Sequence, residues 1–219
     1  LRDDDAIRET SELKRLAAWC ERANAEILLA VIPHLADETL AASAHNTPFL
    51  VPCVHGWAHK NHAPANEKKM ELGAHRARAD VLDELRAARE RIEHLFAGHA
   101  LDVLVPPWNR VDDELVSALP DLGFRGLSTF ANQFEDKMVE GFTVANIHVD
   151  VIDWKGSRGC RPHADIISDL SREARTRTCV GLLTHHLVHD ESVWNFLDEM
   201  ADFINAHPAA HWISPRSLF

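Results

Sequence analysis

Short apolar runs alternate with amphipathic stretches from one end of the chain to the other. The runs cover residues 27–33, 49–55, 102–107, 125–130, 144–151, 179–185 and 211–214, each with the length and the Val, Ile, Leu and Phe content of a buried strand. Between them a 3.6-residue period predicts helices over 11–23, 37–44, 74–97, 112–119, 162–176 and 191–205. Leu1 and Arg2, followed by three aspartates, read as the end of one more strand, for about eight in all. Such alternation predicts a parallel α/β fold. The strands are apolar almost throughout rather than at every second position, so both faces are covered, as in a closed barrel or a doubly wound sheet. No glycine-rich turn follows the first strand, so dinucleotide and phosphate-loop sites lack their fingerprint and a barrel is favoured. No low-complexity linker or charge block interrupts residues 1–219, which predicts a single domain.

Composition narrows the function classes. With 46% hydrophobic and 26% charged residues in 219, the chain can bury a full core without disulfides or metal staples. Its 34 acidic against 23 basic residues leave a net charge of −11, which argues against nucleic acid or an anionic membrane as partner, since both are held by basic patches. No stretch approaches the ~20 apolar residues of a membrane helix. Cys20, Cys53, Cys160 and Cys179 show no CxxC spacing, so they read as reduced thiols and the compartment as cytoplasmic. The numbering opens on Leu1 rather than methionine, and residues ahead of it are left open, as is the oligomeric state. Fifteen histidines are the unusual count, because histidine is the commonest metal ligand and titrates near neutrality.

Reactive groups in parallel α/β proteins gather beyond the C-terminal ends of the strands. Here those ends carry Arg2-Asp3-Asp4-Asp5, His55-Gly56-Trp57-Ala58-His59 with Asn61 and His62, Pro106-Pro107-Trp108-Asn109-Arg110, Asp150-Val151-Ile152-Asp153-Trp154, and Thr184-His185-His186. On a helical turn, an i, i+4 histidine pair places both imidazoles on one face, where they bind one divalent ion; a carboxylate from another strand end completes the triad. Clustered carboxylates repel unless a cation or proton intervenes, and a metal site supplies one. Apart from these, His34, His45, His75, His94, His99, His207 and His211 read as surface or packing residues, while His62, His148, His163 and His189 lie nearer the strand ends. Trp19, Trp194 and Trp212 read as core, and residues 76–93 as a solvated helix face.

Together, Asp4-Asp5, His55 to His59, Pro107-Trp108-Asn109, Asp153-Trp154 and Leu183-Thr184-His185 resemble, in order, the five motifs of polysaccharide deacetylases, carbohydrate esterase family 4, spanning residues 2–186. The resemblance implies a distorted (β/α)7-type barrel with parallel strands and a divalent metal ion, usually zinc, held by Asp5, His55 and His59. It assigns Asp4 as general base, drawing a proton from water that the ion activates, and His185 as the acid that protonates the leaving amine. Asp153 would orient a partner, the backbone N–H of Trp108 would hold the oxyanion, and Leu183 and Trp154 would line the acyl pocket. The substrate would be an N-acetylated carbohydrate.

Three positions depart from the family pattern. Val105 stands where the family has an arginine, and Arg2 or Arg110 is left to supply the charge. Three aspartates precede Ala6, so Asp3 and Asp4 compete with Asp4 and Asp5 as base and ligand; the latter register keeps small Ala6 at the family's glycine position. His186 follows the acid where an aspartate is frequent. Two other functions stay open: a metal amidohydrolase acting on a non-sugar amide, and an inactive carbohydrate-binding barrel. The presence of base, triad and acid together speaks against the second.

Overall fold

The computed structural model describes residues 1–131, 133–139 and 141–219. Its elements in chain order are β1 (Arg2–Ala6), α1 (Ser11–Ala23), β2 (Ile27–Val31), α2 (Glu38–Asn46), β3 (Leu50–His55), α3 (Arg78–Phe96), β4 (Val103–Val105), α4 (Asp113–Val116), β5 (Gly126–Leu127), β6 (Lys137–Val139), β7 (Phe142–Val144), β8 (Val149–Asp150), α5 (His163–Glu173), β9 (Leu182–Thr184), α6 (Glu191–Ala206) and α7 (Pro215–Leu218). The strands form one sheet in the order β6, β7, β5, β4, β3, β2, β1, β9, β8. Eight of them run parallel, and β6 pairs antiparallel with β7.

β7, the outermost parallel strand on one side of that order, and β8, at the other end, are separated by only residues 145–148. Along this segment Ala145 and Ile147 donate to the carbonyls of Leu127 and Thr129 at 3.0 and 2.9 Å, on the β5 side. The next residue, His148, donates to Gly181 O at 2.8 Å, just ahead of β9. One stretch of chain therefore bonds beside β5 and then beside β9, on the two sides of the parallel sheet, and the sheet curls into a distorted barrel. The apolar run over 144–151, which reads as a single strand, is split because its hydrogen-bonding partner changes midway.

Both faces of the sheet are covered, which explains the near-continuous apolar strands. Ile27, Leu29 and Val31 of β2 join the large core beneath the helices, with Leu13, Leu16, Trp19 and Ala23 of α1 and Val193, Phe196 and Leu197 of α6. Leu28 and Ala30 point the other way, into a small interior cluster with Cys53, Val103 and Val105, packed against Phe219. Each fully buried leucine contributes about 1.5–3 kcal/mol, so the helix layer is the main source of stability. Helix starts are set by side-chain caps: Thr10 Oγ1 accepts from Leu13 N at 3.1 Å, and Asp190 Oδ1 from Val193 N at 2.9 Å. Trp19 and Trp194 are buried in the large core, and Trp212 packs edge-on to Trp19 with ring centroids 6.1 Å apart.

The sequence expectations need three corrections. Residues 211–214 form no strand; Trp212 serves the helix layer and Ser214 caps α7. The predicted helix over 112–119 is α4 alone, four residues long, followed by a 3-10 turn that Pro120 starts. The antiparallel β6 lies in a polar stretch with no apolar run to announce it. Among the described residues, no helix is long and apolar enough to cross a membrane.

Candidate metal centre

At the mouth of the barrel β1 carries one residue too many for its neighbour: Asp3 pairs with Leu29 and Ala6 with Val31, so three steps oppose two. This bulge, with Asp5 at φ 75°, breaks the alternation that would send Asp4 and Asp5 to opposite faces. Asp3 keeps the alternation and points outward, beneath the helices. There its carboxylate accepts from the His186 backbone N–H at 2.8 Å and from Thr184 Oγ1 at 2.6 Å, and pairs with His186 Nδ1 at 2.5 Å. Both partners are fully buried. Burial pushes the His186 imidazole down, but the charge and hydrogen bond of Asp3 outweigh it and the net shift is upward. Burial likewise opposes ionisation of Asp3, which His186 more than offsets, so Asp3 lies below the usual carboxylate range. His186 thus meets its carboxylate from across the sheet.

Arg2 and Asp4 face the barrel interior. Arg2 Nε and Nη2 donate to Asp4 Oδ1 and Oδ2 at 2.9 and 3.0 Å, a bidentate ion pair with both side chains buried. The remaining guanidinium donors reach Ser128 O and Oγ, each at 3.0 Å, and Asn109 Oδ1 at 2.5 Å. Of the two arginines weighed for the charge missing at Val105, Arg2 is the one paired with Asp4. Arg110 instead donates to Lys69 O at 3.0 Å on the rim. Val105, opposite His55 in the sheet, offers its carbonyl rather than its side chain.

His55 ends β3, and its Nδ1 donates to Val105 O at 2.9 Å. That bond leaves Nε2 as the free nitrogen, aimed at Asp5 Oδ1 at 3.2 Å. His59 Nε2 lies 3.3 Å from the same oxygen. The expected helical turn between the two histidines is not there. Residues 56–59 form an irregular loop with Gly56 at φ 60° and His59 at φ 55°, and it brings the rings to 5.1 Å by another route. The loop wraps a carboxylate that sequence spacing gave no reason to single out. Glu71, 1% exposed, accepts from the N–H groups of Trp57, Ala58 and Lys60 at 3.1, 2.9 and 3.1 Å.

The donor atoms of Asp5, His55 and His59 lie within 4.8 Å of one another. Two ligands about 2.0–2.1 Å from a tetrahedral ion are separated by roughly 3.3 Å. The two nitrogen–oxygen distances, 3.2 and 3.3 Å, match that spacing. Two imidazoles, the His55 tautomer fixed by Val105 O, and one carboxylate suit a borderline divalent ion, so the residues fit the metal that the motifs imply. Burial works against ionised Asp5, but its close contact with His55 and the charges of His55, His59 and His185 hold it well below the usual range. Burial and His55 push His59 down, whereas the nearby aspartates outweigh burial at His55 and raise it.

Around His185 the grouping differs in one carboxylate from the sequence reading. His185 follows β9, and Trp154 packs edge-on against its ring at 4.8 Å. Trp154 Nε1 donates to Asp150 Oδ2 at 2.7 Å, and the His185 charge acts on Asp150. Asp150 is raised because burial outweighs that charge and its hydrogen bonds. Asp153 is turned away: its oxygens accept from Gly156 N and Ser157 N, each at 3.0 Å, and cap a turn. Asp150 rather than Asp153 is thus grouped with Trp154 and His185, and it was visible in the sequence as the first residue of that strand end. Leu183, 1% exposed, pairs with Arg2 and Asp150 and shares their interior face.

Pro107, Trp108 and Asn109 make a tight turn with Trp108 at φ 54° and Asn109 at φ 57°. Trp108 lies 4.4 Å from the His59 ring, beside the triad. Its N–H opens the turn, where no intra-turn acceptor exists; the next two N–H groups close on Pro106 O and Pro107 O. Of the other candidate histidines, His148, His163 and His189 have their rings in structural contacts, whereas His62 contributes a backbone bond. His148 pairs with Asp136 and accepts from Gly181 N at the seam of the barrel, and His163 bonds to Ser192 O. His62 donates its backbone N–H to Met70 O. His189, pushed down to about 4 chiefly by burial, accepts from the His185 N–H.

No family model matches the chain, and no curated protein matches it by sequence. Solved structures do. A peptidoglycan N-acetylglucosamine deacetylase superposes with a TM-score of 0.63 at 15% identity, over 100% of this chain and 86% of its own. The family 4 carbohydrate esterase from Streptomyces lividans, in complex with acetate, gives 0.61 at 14% identity, over 99% and 93%. A CE4 family pseudoenzyme from Bacillus anthracis gives 0.60 at 15%, over 99% of this chain and 63% of its own. The fold is that of the family 4 carbohydrate esterases.

Proposed function

We propose that this chain is a divergent, single-domain, metal-dependent deacetylase of the family 4 carbohydrate esterase type, which hydrolyses an N-acyl group from a carbohydrate to give a carboxylic acid and a free amine. The observation that carries the reading is the set of Asp5, His55 and His59 donor atoms within 4.8 Å, beside a buried Asp4. Fold alone does not decide activity, since one neighbour of the same fold is a pseudoenzyme. The residues at the mouth do favour it.

Asp5, His55 and His59 would hold the ion, with zinc the first candidate. A divalent ion there supplies Lewis acidity toward the acyl carbonyl and lowers the pKa of water. Asp4 accepts the proton of the attacking water, and Arg2 holds its two oxygens in one orientation. The Trp108 N–H donates to the carbonyl oxygen as negative charge develops on it, a contribution of about 3–4 kcal/mol for a well-aimed donor. His185 protonates the leaving amine, and Asp150 and Trp154 orient it. Leu183 and the 42%-exposed Trp154 bound the space for the acyl methyl and the sugar ring.

Acetate release from chitooligosaccharides by wild type, Asp4→Asn and His185→Ala tests the assignment. Both variants are expected to lose at least about 100-fold in kcat/KM with the fold intact. Unchanged turnover in either variant would remove that residue from the mechanism. Activity confined to simple N-acyl amides would favour the non-sugar amidohydrolase.

A further inference from the structure

The two histidine ligands sit at the ends of a loop with no helix to fix their separation. Gly56 and His59 both have left-handed φ, and Trp57, Ala58 and Lys60 direct their N–H groups inward. All three converge on the Glu71 carboxylate, which has no other role in the proposed chemistry. The packing leaves no slack, because a Cβ on Gly56 would overlap Glu71 Oε2 and the Pro107 ring. Glu71 is itself anchored: Met70 N donates to Asn61 Oδ1 at 2.9 Å, and His62 N to Met70 O at 2.9 Å. On its other side Leu72 bridges to Val111, just past the Trp108 turn.

From this arrangement we infer that Glu71 is a positioning residue of the metal centre: its carboxylate gathers three backbone N–H groups and so sets the separation of the His55 and His59 nitrogens. The inference rests on the metal reading above. A carboxylate suits the task because its two oxygens offer about four acceptor sites, and an inward ring of N–H groups forms an anion nest. Glutamine keeps the shape and one accepting oxygen but presents an NH2 group to a donor, so it preserves only part of the bonding.

Cobalt(II) alone, titrated into wild type, Glu71→Gln and Glu71→Ala, tests the role through its visible absorption, with melting temperatures read on the same metal-free samples. Wild type is expected to bind one equivalent. Glu71→Ala should lose about 10–100-fold in affinity, with an altered band shape, and Glu71→Gln should fall between the two. If either folded variant binds cobalt(II) with wild-type affinity and spectrum, the inference fails. Loss of the fold in both variants overturns it in favour of general structural support. Wild type that binds no cobalt(II) defeats the underlying metal reading instead, which separates the two failures.

Discussion

Arg2→Lys keeps the charge and removes the fork. In the wild type the guanidinium makes five hydrogen bonds: two to Asp4, two to Ser128 and one to Asn109. A lysine has three donors on a single nitrogen, so at least two of the five acceptors lose their partner in a buried setting. At about 1.5–3 kcal/mol per charged hydrogen bond the loss is roughly 3–6 kcal/mol, in line with the ~3–5 kcal/mol cost of breaking a buried ion pair. For a domain of this size 1 kcal/mol moves the midpoint by about 2–4 °C, so scanning calorimetry should find Arg2→Lys melting about 6–24 °C lower. The same change frees Asp4 to rotate and should lower kcat/KM by about 100-fold. A cycle with Asp4→Asn isolates the pair, with an expected coupling of about 1–3 kcal/mol. A melting point within about 2 °C of wild type, or strict additivity in the cycle, would refute the view that Arg2 holds Asp4 in place of an arginine at position 105.

Three further outcomes are expected. Asp150→Asn should reduce kcat by about 100-fold and reshape the pH–rate profile, whereas Asp153→Asn should loosen only its turn; the reverse result would return the orienting role to Asp153. His186→Ala should cost about 3–5 kcal/mol in urea unfolding, because buried Asp3 is left unpaired. The groups acting on His186 are Asp3, Asp5 and Glu12, with His189 packed beside Asp3. Its raised pKa makes the stabilisation complete below about pH 6.5 and lost as pH rises through the folded value, while depressed Asp3 holds its share above about pH 3.9. The gap between wild type and variant should therefore be widest between those limits and shrink as pH rises through the raised His186 value; a gap that widens toward alkaline pH contradicts the pairing. Metal affinity should weaken by tenfold or more between pH 7.5 and 5.5, since the imidazoles must lose protons to bind; calorimetric titration with zinc reads it, and a flat profile would exclude histidine ligands.

Local motifs were the legible part of this site. A run of aspartates at a strand end, two histidines four apart, and a His at the end of the last strand each announce themselves within a few residues. The structure gathers Asp5, His55 and His59 as the motifs imply. What depends on which face a side chain takes was harder to read. The bulge that turns Asp4 and Asp5 to one side, and Asp3 to the other, is a mismatch between β1 and β2 that neither strand shows alone. Arg2 reaches Ser128 and Asn109 across the barrel, contacts 126 and 107 residues away in sequence. Glu71 sits in a polar loop with no spacing signal. The fold followed the same rule: parallel alternation was plain, but the split of 144–151 between the two sides of the parallel sheet and the absence of a strand at 211–214 arose from closure and helix packing.

The central claim is that Asp5, His55 and His59 hold an ion that hydrolysis requires. Acetate release from chitooligosaccharides should be measured on purified wild type, after exhaustive chelation, and after return of one equivalent of zinc. We expect activity to vanish on chelation and to recover with zinc in wild type but not in His55→Ala. Full activity after the ion is demonstrably gone would contradict the claim, as would a protein that binds zinc at this triad and releases no acyl group from any amide tested.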